Sequence, residues 1–106
     1  MDSLTGRTIE WTCDDGPMAG VKIEHTFDAD GSVTWRIADG PDKGASRKEK
    51  SYGAVKVNDK TWVLSYLAAS GHTLTVVLNL DDRRAIAFGS NETSWELMHA
   101  GFEFVR

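Results

Sequence analysis

Short runs that alternate between apolar and polar residues, each closed by glycine, aspartate or asparagine, recur along the whole chain. This pattern constrains the fold most, because a period of two suits a half-buried strand and does not suit a helix. Thr8 to Cys13 sets Ile9, Trp11 and Cys13 against Thr8, Glu10 and Thr12. Val21 to Phe27 sets Val21, Ile23, His25 and Phe27 against Lys22, Glu24 and Thr26, and "DADG" at 28–31 reads as a tight hairpin turn. Further strands are expected over Ser32 to Ile37, Ser51 to Val57, Thr61 to Leu67, Thr73 to Leu80, Ala85 to Gly89 and Trp95 to Val105. The polar stretch "ADGPDKGASRKEK" after the third strand is expected to be a mobile loop at one end of the domain. About eight short strands joined by tight turns make an all-β meander. Such a meander loses its exposed edges by closing into an antiparallel up-and-down β-barrel that holds one small ligand. A β-sandwich with a solid core is the alternative.

At 106 residues, 41% of them hydrophobic, the chain fits one domain with one core. Twelve lysines and arginines are scattered among 16 acidic residues, for a net charge of −4, which speaks against nucleic acid as a partner. No run approaches the roughly 18 consecutive apolar residues of a membrane helix, and the start lacks a basic segment followed by an apolar one. A soluble, cytoplasmic protein without a membrane partner is therefore expected. Cys13 is the one cysteine, so no internal disulfide and no thiolate-based zinc site can form.

Signatures of catalysis are missing: there is no phosphate loop, nucleophile elbow, paired-histidine metal motif or calcium loop, and no cofactor is implied. His25, His72 and His99 fall on different strands or turns, where ordinary polar histidines are expected in preference to a metal site. Cys13 and His25, on neighbouring strands, could form a thiolate–imidazolium pair, though a lone buried cysteine is more often a small core residue. Trp11, Trp35, Trp62 and Trp95 suit core packing or an aromatic wall for a flat ligand. Arg36 interrupts the strand "VTWRIADG". Alternation alone places Trp35 inside and Arg36 in water.

The segments "WTCDDG", "VTWRIADG" and "WVLSYLAASGHTLTVVLNL", with a last glycine–aromatic strand, resemble the lipocalin-like (calycin) barrels that include the bacterial phenolic acid decarboxylases, and more closely the small MoaF-like proteins. The resemblance runs from about Gly6 to about Phe104. It implies a closed barrel whose cavity binds a hydroxycinnamate-like acid through an arginine, two tyrosines spaced by one residue, and a glutamate. The arginine matches Arg36, whereas Trp11 and Cys13 stand at the tyrosines and Ala68 at the glutamate. Without those donors and that acid, decarboxylation by the same route is not expected.

The resemblance therefore implies a non-catalytic barrel binding a small apolar or aromatic carboxylate. Arg36 would anchor the anion, Trp11, Trp62 and Tyr66 would supply wall and hydroxyl donor, and Cys13, His25 and His99 would be further contacts. An inward Arg36 would need a carboxylate partner, Glu24 or the ligand, and would turn Trp35 outward, where a homodimer interface could cover it. Two alternatives stay open. One is a lyase or isomerase on a cinnamate-like acid that uses Cys13, His25 or Tyr66; the other is a filled barrel acting as an interaction module.

Overall fold

A computed structural model describes residues 3–105, and among them nine strands form one antiparallel sheet. These are β1 (Thr8–Cys13), β2 (Lys22–Phe27), β3 (Val33–Asp39), β4 (Ser46–Glu49), β5 (Gly53–Asn58), β6 (Thr61–Leu67), β7 (Thr73–Asn79), β8 (Arg84–Ser90) and β9 (Trp95–Phe104). Their order across the sheet is β4-β3-β2-β1-β9-β8-β7-β6-β5. The first and last strands pair, with Ile9 opposite Phe104 and Cys13 opposite Ala100. The sheet thus curls into an up-and-down barrel with a seam between β4 and β5, and the two-sheet sandwich is excluded. No helix among the described residues is long and apolar enough to cross a membrane.

The strands lie where alternation places them, with one addition. The polar segment after β3 is not all loop. Ser46–Glu49 forms β4, which pairs with β3 so that Val33 faces Glu49 and Arg36 faces Ser46. The run Ser-Arg-Lys-Glu has no apolar alternation and hides this ninth strand from the pattern. At the β2–β3 hairpin, Asp28 and Asp30 accept hydrogen bonds from the Ser32 and Thr34 side chains, and Gly31 takes the positive φ of 88° that the turn requires.

The barrel interior divides into a filled end and an open end. Leu4, Ile9, Phe27, Val33, Leu64, Leu78 and Phe102 are buried at the filled end, with Trp62 and Ala85 beside them. Towards the other end the inward positions of β8 shrink to Ala87 and Gly89, and β9 sets Ala100 beside Met98. Those small residues leave a space that larger side chains would fill. A short 3-10 turn, Gly16–Met18, packs against β9 at this end and brings Pro17 and Met18 to the rim of the space. Gly16 fits there because it takes a φ of 75° and because a Cβ would meet the Met98 side chain at 2.9 Å.

Candidate functional site

The space at the open end is a cavity of about 610 Å³, reached by strands from all round the barrel. β1 contributes Trp11 and Cys13, β2 Ile23 and His25, β3 Trp35 and Ile37, and β6 Tyr66. Alternation explains the choice, since each of these residues occupies the inward parity of its strand.

A chain of hydrogen bonds crosses the cavity wall. Trp11 Nε1 donates to His25 Nδ1 at 2.7 Å, and His25 Nε2 lies 2.7 Å from the Tyr66 hydroxyl. An indole N–H can only donate, so His25 Nδ1 must be the bare nitrogen and Nε2 must carry the proton. His25 therefore donates to the Tyr66 oxygen. His25 is 2% exposed, and burial lowers its pKa from 6.5 to about 3, so the imidazole stays neutral. Burial also pushes the Tyr66 phenol well above its ordinary pKa, with the negative charge of Glu49 adding to the effect.

Glu49 itself is a cavity residue that sequence reasoning missed. It is buried, yet it belongs to the polar run expected to be loop, where nothing in the pattern marks it as inward. One carboxylate oxygen accepts from Trp35 Nε1 at 2.9 Å, and the other from the Ala69 backbone N–H at 3.1 Å. Arg47 Nε lies 3.8 Å from Glu49 on the exposed rim. Through Ala69, Glu49 ties edge strand β4 to the β6–β7 turn across the seam of the barrel.

Of the residues expected at the site, the cavity brings together Trp11, Cys13, His25 and Tyr66. Arg36 is not among them. It lies on the outer face opposite Glu24, its guanidinium 3.2 Å from the Glu24 carboxylate and its side chain 47% exposed. Glu10 and Lys22 repeat this pairing on the neighbouring strands of the same face, so the charged partner is supplied by the protein where water also reaches. Turning Arg36 inward would strip it of that partner and that water. Trp35 accordingly faces the cavity, and a homodimer no longer has Trp35 as its basis.

Two more expected contacts lie elsewhere. Trp62 is buried in the filled end, and its Nε1 has no hydrogen-bond partner among the described residues. His99 is on the outside, where its backbone and ring nitrogens bond Asp15 at 2.7 and 2.8 Å and hold that carboxyl below its usual range. Cys13 and His25 do not pair. Both ring nitrogens of His25 are taken, its register partner on β1 is Ile9, and burial raises the Cys13 thiol pKa. Among the described residues no group of three or more His, Cys, Asp or Glu is placed to hold a metal ion.

The fold is similar to that of a protein from Burkholderia vietnamiensis whose crystal structure is provisionally described as that of a beta-lactamase. The TM-score is 0.80 over 96% of this chain and 95% of the other, at 19% identity. At that identity the likeness speaks for the fold alone. No curated protein matches the sequence. The family model of the MoaF N-terminal domain matches residues 1–94, and the chain belongs to that family.

Proposed function

We propose that the protein is a lipocalin-like binding barrel that takes one small, flat, largely apolar molecule into the cavity between Trp11, Trp35 and Tyr66. The observation that carries this reading is the cavity. Its volume of about 610 Å³ falls within the range of small-molecule sites, and indole, phenol and aliphatic side chains line most of it. It is held open by Ala68, Ala87, Gly89 and Ala100, a set of small residues that a barrel serving only as a filled scaffold has no reason to collect.

The state of the polar groups favours holding a ligand over transforming it. General acids and bases work best with a pKa near the working pH. His25 is too weak a base, Cys13 stays a thiol, and Tyr66 stays a phenol. Each candidate for lyase or isomerase chemistry thus has a pKa displaced from the working pH, which makes it a weak acid or base there.

Titration with N-phenyl-1-naphthylamine, a neutral aromatic fluorophore, tests the reading. A saturable rise in probe fluorescence with one equivalent bound, accompanied by quenching of tryptophan emission, is expected. A linear, non-saturating response would remove the proposal.

A further inference from the structure

The cavity's hydrogen-bonding groups go further and define the charge of what it binds. Resting on the binding reading above, we infer that the ligand is uncharged and presents a hydrogen-bond acceptor, such as a carbonyl oxygen, to the hydroxyl of Tyr66.

Three observations lead there. The first is the direction of the hydrogen-bond chain. Because Trp11 donates to His25 and His25 donates to Tyr66, the Tyr66 oxygen is already an acceptor, and its own proton is left to give. Among the described residues no acceptor for that proton is found at hydrogen-bonding distance. A phenol in a cavity wall whose proton has no protein acceptor calls for an acceptor on the ligand. His25 is thus a positioning residue, since it fixes Tyr66 as a donor without needing to touch the ligand.

The second observation is the sign of the field. Glu49 is the buried charged residue of the cavity wall, and its carboxylate is close enough to Tyr66 to help keep the phenol protonated. Arg47 on the exposed rim is the cation that faces it, and Glu96, also at the rim, is a second acid. A ligand carboxylate entering this wall would meet a like charge in a low-dielectric space. The third observation is the position of Arg36. This cation, which the family resemblance places in the cavity, is outside the barrel and paired with Glu24, while Arg47 at the rim is exposed to water and already faces Glu49. An uncharged acceptor satisfies Tyr66 and avoids the repulsion from Glu49.

Isothermal titration with three probes of one shape tests the inference: cinnamamide (neutral acceptor), cinnamate (anion) and trans-β-methylstyrene (no acceptor). At pH 7.5 cinnamamide is expected to bind at least tenfold tighter than cinnamate. Tyr66→Phe should weaken cinnamamide fivefold or more while leaving the hydrocarbon within twofold. Glu49→Gln should narrow the gap between amide and acid, provided its thermal transition remains cooperative. Cinnamate binding as tightly as cinnamamide in the wild type would overturn the inference while leaving the barrel a binding protein. So would a Tyr66→Phe variant that loses nothing for the amide. Failure of all three probes to bind would remove the binding reading and this inference together.

Discussion

Trp11 Nε1 donates to His25 Nδ1 at 2.7 Å, and this one contact fixes the protonation of the cavity wall. A protonated His25 would point an N–H at the Trp11 N–H, so folding and a neutral imidazole go together. The folded pKa is about 3 against 6.5 for an unperturbed histidine. Between those values the unfolded chain binds the extra proton and the folded chain does not. Stability should therefore be fully present above pH 6.5 and fall as the pH drops towards 3, at up to about 1.4 kcal/mol per pH unit. Urea denaturation at pH 7 and pH 5 measures the slope, and His25→Gln should flatten it. If that variant does not fold, the wild-type His25 ring resonances, unshifted by NMR down to pH 4, give the same answer.

Two buried tryptophans should respond differently to the same change. Trp11→Phe leaves His25 Nδ1 without its donor and should cost about 1–3 kcal/mol. Trp62→Phe removes an N–H that has no partner, which offsets much of the lost packing, so a change within about 1 kcal/mol is expected. Parallel denaturation curves compare the two. Equal losses would place an unseen partner on Trp62.

Glu49 holds Trp35 and the Ala69 backbone at once, and so bridges the barrel's seam from β4 to the β6–β7 turn. Glu49→Ala strands both donors and should destabilise by about 3 kcal/mol, measured by chemical denaturation. Hydrogen exchange at the Ala69 amide should rise in the same variant.

Arg36→Ala should leave binding of a neutral probe within twofold, because the guanidinium is outside the barrel. Its cost in stability should be about 1–3 kcal/mol, because the Glu24 carboxylate it pairs with is buried and loses that cation. A large loss of binding would return Arg36 to the cavity.

Much of the barrel was legible in the sequence because alternation is a direct print of one wet and one dry face. Ile9, Trp11 and Cys13, or Leu64 and Tyr66, declare their side without help from any neighbour. The site was legible in part. The cavity positions of Trp11, His25, Tyr66 and Cys13 follow from parity, whereas the outward Arg36 obeys the alternation of its own strand and departs from what the family resemblance implies. Glu49 could not be read at all. It becomes a buried acid through contacts with Trp35, 14 residues away, and Ala69, 20 residues away, and neither lies in its own strand. The hidden strand β4 had the same cause: an edge strand packed on one side has little need of apolar residues.

If the cavity itself takes up the ligand, filling it abolishes binding. Ala87 faces the cavity from β8, so Ala87→Phe places a ring where the ligand would lie. Titration of wild type and this variant with N-phenyl-1-naphthylamine, with circular dichroism to establish that both keep the barrel, makes the comparison. One-to-one binding by the wild type and at least a tenfold loss in the folded variant is the expected result. Equal binding by both would contradict the claim and move the probe to the exposed apolar surface around Phe88 and Trp95.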